Sequence, residues 1–399
     1  MKRLRSVCTT MLVASVFLSC SRSQNQTEGP LELGKKMADS DMKRNPDASM
    51  LDFSPKPVWS YTQGLVSLAN QRLAAETGEQ KYYEYGLDYA AKMINDSGLI
   101  ATYQMEKYNV DLVNSGKILF DIYEKTGDEK FKKAIFLLRE QLKTHPRTSE
   151  GGFWHKKVYP HQMWLDGIYM ADPFYAQFGK VFNEPAAFDD VVNQVLVIQK
   201  HTVDSLTGLN YHGWDESREQ QWADSLTGRS PHVWGRAQGW YLMALVDILD
   251  FLPEDHAGRT EIINILNRAA RAVVNAQDQE SGVWFQVMDQ NGREGNYLEA
   301  TASSMFVYAL LKGLRMGYLD QSYLEPAKKG FEGIRQNFIR ENEDGTISLT
   351  RCCAVAGLGG KPYRDGSFEY YTSTAIRDDD PKGVGPFIMA CIEMHKALN

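Results

Sequence analysis

Residues 239–252 read GWYLMALVDILDFL, and residues 263–277 read INILNRAARAVVNAQ. The first stretch is apolar nearly all round, whereas the second keeps its apolar residues to one side. A helix that is apolar on every side is buried; one with a single apolar stripe lies outside, between core and water. The two stretches therefore predict a buried helix followed by an outer one.

The same alternation runs along the chain. Outer helices are expected near 31–45, 80–95, 128–143, 186–201, 258–276 and 323–339, and inner ones near 59–76, 111–125, 162–179, 235–252, 299–316 and 384–398. Thr77–Gly78 and Thr126–Gly127 read as helix stops, because glycine accepts the left-handed conformation that ends a helix. Five connecting segments share a pattern of acidic or polar residues, Gly, then apolar and aromatic residues: DSGLIATY (96–103), SEGGFWHKK (149–157), SLTGLNYHGWD (205–215), ESGVWFQVMD (280–289) and EDGTISLTR (343–351). Six helix pairs with strongly buried inner members suit a closed double ring, an all-α (α/α)6 barrel, better than an open solenoid. The glycine-aromatic loops all run from an outer helix to an inner one. They therefore share one face, the mouth, with the positive ends of the inner helix dipoles.

The chain has 399 residues, 43% hydrophobic and 24% charged, with a formal charge of −7 and no basic block. That balance fits a globular domain and argues against nucleic acid as a partner. The N-terminus MKRLRSVCTTMLVASVFLSC has a basic start and an apolar run too short to span a bilayer. Residues 1–20 are expected to be a lipoprotein signal peptide, with Cys20 lipidated, 21–30 a polar tether and 31–399 a single catalytic barrel. The expected location is thus that of an exported bacterial lipoprotein, periplasm-facing or anchored to the outer membrane, touching membrane only through its lipid. A monomer is the favoured oligomeric state. Cys352, Cys353 and Cys391 follow no zinc spacing and are expected to be buried free thiols.

The mouth segments carry an unusual set of side chains. Asp111 precedes inner helix two; His155, Lys156, Trp164 and Asp166 precede or open inner helix three; His212 lies in YHGWD (211–215). Inner helix four opens with PHVWGRAQGW (231–240), which holds Trp234, Arg236 and Trp240. A long polar-aromatic loop, 361–387, closes the set and includes Tyr371. Aromatic rings interleaved with carboxylates and cations are the usual wall of a sugar site, because apolar sugar faces stack on rings. Several of these residues also have purely structural readings. Asp166 and Asp111 could serve helix N-termini, Arg236 could pair with Asp166, and the tryptophans could be core. Asp172 precedes Pro173 and is read as structural. Asp378, Asp379 and Asp380 are read as a solvated or loop-ordering run.

Together HQMWLDGIYMADPFYA (161–176), YHGWD (211–215), PHVWGRAQGWY (231–241) and RDGSFEYY (364–371) with DDDPKGVGPF (378–387) resemble glycoside hydrolase family 105, the unsaturated rhamnogalacturonyl hydrolases. The likeness runs from about residue 55 to the C-terminus. It implies an (α/α)6 barrel and Asp166 as general acid/base, with His212 and Asp111 also in the catalytic set. It further implies that Trp234, Arg236 and Trp240 line the site, with His155 and Lys156 nearby; Trp164 and Tyr371 complete the expected substrate-binding set. The implied substrate is an unsaturated uronide oligosaccharide from pectin, hydrated at its C4=C5 double bond, with no metal or cofactor. Arg236 is assigned to the substrate carboxylate. Burial among Trp164, Met163 and Met170, with Asp111 adding repulsion, is expected to raise the pKa of Asp166. The alternatives are an unsaturated glucuronyl hydrolase acting on ulvan or glycosaminoglycan fragments, an ordinary glycosidase, a sugar epimerase, and a surface glycan-binding lipoprotein.

Overall fold

The computed structural model describes residues 28–399. The expected signal peptide, Cys20 and most of the expected tether lie outside the described residues; Pro30 already opens the first helix. Six helices form an inner ring: α2 (Tyr61–Thr77), α4 (Lys117–Thr126), α6 (Gly167–Val181), α8 (Gly235–Ile248), α10 (Ala300–Arg315) and α13 (Pro381–Leu398). Each packs on the next, and α13 packs on α2, so the ring is closed. The outer helices are α1 (Pro30–Arg44), α3 (Gln80–Met93), α5 (Glu129–Thr144), α7 (Ala186–Thr202), α9 (Arg259–Asn275) and α11 (Leu324–Phe338). A short helix, α12 (Phe368–Ser373), lies in the final long loop. The (α/α)6 barrel is therefore the fold.

The burial pattern explains the two layers. Every residue of α8 is buried, whereas α9 buries Ile262, Ile265, Leu266, Ala269, Ala270, Ala272 and Val273, one stripe at helical spacing. The inner-to-outer turns are tight, as at Gly78 and Gly127, both left-handed helix caps. The first outer helix, α1, packs chiefly on α13, so the two ends of the barrel chain close the same seam.

The outer-to-inner loops repeat one turn. In 204–210, Asp204 Oδ2 accepts from Thr207 N at 3.0 Å, Gly208 takes φ 77°, and Val203 and Asn210 then bridge. Glycine recurs at the equivalent step at 98, 151, 282 and 345, each with positive φ. The DSLTG of 204–208 is copied at 224–228, where Asp224 Oδ1 accepts from Thr227 N at 2.7 Å.

Two inner helices start later than the hydrophobic pattern suggests. Residues 110–116 form two 3-10 turns before α4, and Gln162–Trp164 is a strand, β1, paired antiparallel with β2 (Gly213–Asp215). Two further pairs, β3 (Ile339–Glu341) with β4 (Ile347–Leu349) and β5 (Cys352–Cys353) with β6 (Ile376–Arg377), lie in the last long connections. Within α6, Pro173 has no N–H for the carbonyl of Tyr169 one turn back. Asn114 Nδ2 supplies that donor at 3.1 Å, tying the start of the second inner element to the third. The acidic run orders its loop: Asp380 caps α13 through Lys382 N, and Asp379 accepts from Leu349 N. Cys352, Cys353 and Cys391 are buried and free.

Candidate active site

Short ladders between successive loops build a collar at the mouth. Asn109 bridges to Lys156, and Val110 N donates to His155 O at 3.2 Å, joining the second inner entrance to the third. Strands β1 and β2 pair Trp164 with Gly213, and Leu165 N donates to His212 O at 2.8 Å, joining the third to the fourth. Trp234 bridges to Val287, joining the fourth to the fifth. These ladders bring together side chains that are far apart in sequence.

Asp166 stands just before α6, yet its side chain makes no capping hydrogen bond. Its Oδ1 lies 3.4 Å from His212 Nε2 instead. His212 is fully buried, and its Nδ1 is 2.7 Å from the Tyr371 hydroxyl. Burial pushes the Tyr371 phenol well above its ordinary pKa, so it keeps its proton and can donate or accept. The Asp166 carboxylate opposite Nε2 favours the tautomer in which Tyr371 donates to Nδ1. That leaves the His212 Nε2–H facing Asp166. Burial also depresses the His212 imidazole, against the pull of Asp166.

Asp111 is not the cap of its turn; Asn109 Oδ1 accepts from Asp111 N at 3.0 Å. The Asp111 carboxylate pairs with Lys156 Nζ at 2.6 Å and His155 Nε2 at 3.3 Å. Burial raises it, but Lys156 and His155 outweigh burial and hold it well below the usual carboxylate range. The Lys156 ammonium is raised in turn, Asp111 outweighing burial.

One expectation is corrected here. Burial does push Asp166 upward, but the imidazoles of His155 and His212 outweigh it, and the carboxyl sits below its ordinary value. The apolar neighbours therefore do not by themselves keep Asp166 protonated. The suggested Arg236–Asp166 pair is also not formed. The Arg236 guanidinium, 1% exposed, donates to the carbonyls of Cys353 and Ala354 and lies 4.8 Å over the Trp234 ring.

The aromatic residues divide into wall and support. Trp164 stacks with His155 at 4.4 Å and with Tyr159 at 4.8 Å, and Trp234 stacks with Tyr371 at 6.0 Å. Trp240 sits deeper, stacked on Tyr169 at 4.8 Å and edge-on to Tyr61 at 6.3 Å. The sequence reading did not single out Tyr159 and Arg364. Arg364 Nη2 donates to the Tyr159 hydroxyl at 2.8 Å, and its guanidinium lies 5.6 Å from the Trp164 ring. The signal was available: Tyr159 begins the stretch leading to Asp166, and Arg364 opens the RDG of the final loop. Asp172 is buried inside α6.

Comparison with known proteins agrees with the geometry. The family model of Glycosyl Hydrolase Family 88 matches residues 33–398. A solved glycoside hydrolase from family 105 of C. acetobutylicum is 46% identical, with a TM-score of 0.87 over 91% of this chain and 99% of that one. Protein Atu3128 of Agrobacterium fabrum is 39% identical over 230 residues, 56% of this chain and 97% of its own. The unsaturated rhamnogalacturonyl hydrolase YesR of Bacillus subtilis is 29% identical over 304 residues, 75% of this chain and 79% of its own. With a match along nearly its whole length and these relatives, the chain belongs to the glycosyl hydrolase family 88/105 group and is a glycosidase acting on unsaturated uronides.

Proposed function

We propose that the enzyme removes a 4,5-unsaturated galacturonyl residue from the non-reducing end of rhamnogalacturonan-derived oligosaccharides by hydrating the C4=C5 bond. The observation that carries this reading is the placement of Asp166: an uncapped carboxylate, 3.4 Å from an imidazole whose other nitrogen is held by Tyr371. The similarity to YesR supports the choice of rhamnogalacturonan fragments.

In this mechanism the Asp166 carboxyl gives its proton to C4. The C4=C5 electron pair becomes the new C4–H bond, and the ring oxygen stabilises the cation left at C5. Water attacks C5 and returns a proton to the Asp166 carboxylate. The resulting hemiketal opens to a ketone at C5, and the hemiacetal left at C1 then releases the rest of the oligosaccharide as an alcohol. Asp166 is depressed before substrate arrives, so its proton must come with binding. A uronate carboxylate placed beside it repels the ionised form and displaces water, and both effects raise its pKa. Arg236 is assigned to attract that carboxylate by its buried charge, Trp164 and Trp234 to stack on the sugar, and the His155–Lys156–Asp111 group to hold the ring hydroxyls. No step requires a metal. We further propose, from the basic start and short apolar run ahead of Cys20, that the protein is exported and held by a lipid on Cys20.

The test is a panel of lyase-generated disaccharides from pectin, ulvan and glycosaminoglycans, followed by loss of ultraviolet absorbance from the conjugated double bond. Fastest loss on the rhamnogalacturonan fragment is expected. Preference for a glucuronyl substrate refutes the assigned sugar, and binding without any loss of absorbance refutes hydration. Asp166→Asn should remove turnover while leaving binding and thermal stability close to wild type; substantial residual rate removes Asp166 from its role.

A further inference from the structure

Asp172 is 1% exposed, and its Oδ1 has no partner among the described residues. His155 is 2% exposed, and its Nδ1 likewise has none, although its Nε2 reaches Asp111. Both side chains line one cavity of about 10 Å³ beneath the mouth, whose other walls include Val110, Phe153, Met163 and Gln194. That volume is the lower limit for holding one water molecule. The Gln194 amide is already committed: its Oε1 accepts from Phe153 N, and its Nε2 donates to Gly151 O and Asp190. Among the side chains lining the cavity, the Asp172 carboxyl and His155 Nδ1 are left as its natural hydrogen-bonding pair.

We propose that Asp172, through one water in this cavity, fixes the tautomer of His155 and is thereby a positioning residue for the catalytic carboxylates. Burial, with repulsion from Asp190 against the pull of Arg147, holds the Asp172 carboxyl well above the usual range, which favours its protonated, donating form. Its O–H donates to the water, the water donates to Nδ1, and the His155 Nε2–H is left to donate to Asp111. No proton changes owner; the donors are only aligned. The charged and titratable groups facing His155 are Asp111 from the turn before α4, the adjacent Lys156, Asp166 just before α6, Asp172 within α6, His145 after α5, and His212 before β2. His155 and His212 are the two imidazoles that oppose burial at the Asp166 carboxyl. A side chain that orders His155 therefore acts on the proposed acid without touching substrate. Only the kinetic part of this proposal rests on Asp166 being that acid.

The test uses the full chain labelled with 15N-histidine, examined without substrate at neutral pH, with His155 assigned by the signal lost in His155→Gln. Wild type and Asp172→Asn, whose amide still donates, should show His155 as the Nε2–H tautomer. Asp172→Val should show mixed tautomers and lose about tenfold in kcat, with KM changed less than about twofold. Asp172→Asn should restore most of that kcat. A His155 signal identical in wild type and Asp172→Val overturns the proposal. If the valine variant does not fold, the wild-type spectrum still decides, because an Nδ1–H tautomer there also overturns it. The spectra need no substrate, so this outcome is independent of whether the assigned uronide is correct.

Discussion

Asn114→Ala should destabilise the barrel by an amount set by a single carbonyl. Pro173 leaves Tyr169 O without its helical donor, and Asn114 Nδ2 fills the gap at 3.1 Å in a site where Asn114 is 1% exposed. Removing the amide strands a buried carbonyl, a cost of about 1–3 kcal/mol. The Asn114 Oδ1 has no partner among the described residues, so deleting it relieves a buried acceptor and offsets part of that cost, a term common to both arms of the cycle below. With an unfolding entropy of about 2.1 cal/mol/K per residue, a domain of roughly 370 residues loses about 1–4 °C in Tm. The decisive measurement is a double-mutant cycle read by thermal unfolding. Pro173→Ala gives residue 173 an N–H that can reach Tyr169 O, so Asn114→Ala in that background should cost less by about 1 kcal/mol. The void left by the shorter side chain and the backbone entropy added by removing proline appear on both sides of the cycle and cancel. An equal loss of Tm in both backgrounds refutes the reasoning.

Tyr371→Phe removes the 2.7 Å partner of His212 Nδ1 and frees the ring to change tautomer; steady-state kinetics should show kcat falling about 10- to 100-fold with KM little changed. Asp111 is depressed by Lys156 and His155, so its contribution is fully present above the unfolded carboxylate pKa of about 4 and is lost as pH falls through the folded value. The stability gap between wild type and Asp111→Asn, measured by denaturant unfolding, should therefore be flat near neutrality and shrink below about pH 4. Cys20→Ser should move the expressed protein from the membrane to the soluble fraction and abolish incorporation of labelled fatty acid, checked by fractionation.

Helices were legible where a single periodicity decided them. The contrast between GWYLMALVDILDFL and INILNRAARAVVNAQ marks an inner and an outer helix, and the structure builds α8 and α9 from those stretches. The starts of the second and third inner helices were not legible, because their partners are distant. Gln162–Trp164 becomes a strand only because Gly213–Asp215 lies alongside it, and hydrophobic pattern carries no record of that pairing. The residue types of the site were readable from their clustering in mouth segments, but their ionisation was not. Trp164 and Met163 beside Asp166 in sequence suggest desolvation alone; the opposing imidazoles arrive from His155 and His212 on other loops. Arg236 shows the same limit, since its carbonyl partners at Cys353 and Ala354 stand more than a hundred residues away.

The seam between α1 and α13 gives the molecule a top and a bottom. Arg44, at the end of α1, contacts Asp379 beside the mouth, whereas Gly34 near its beginning lies against Cys391 well along α13. The α1 helix thus climbs toward the mouth, and the chain enters it from the opposite pole, about 22 Å lower at 1.5 Å per residue. A leash fastened ahead of Pro30 would hold the barrel by the pole opposite the mouth, with the site turned away from the point of attachment.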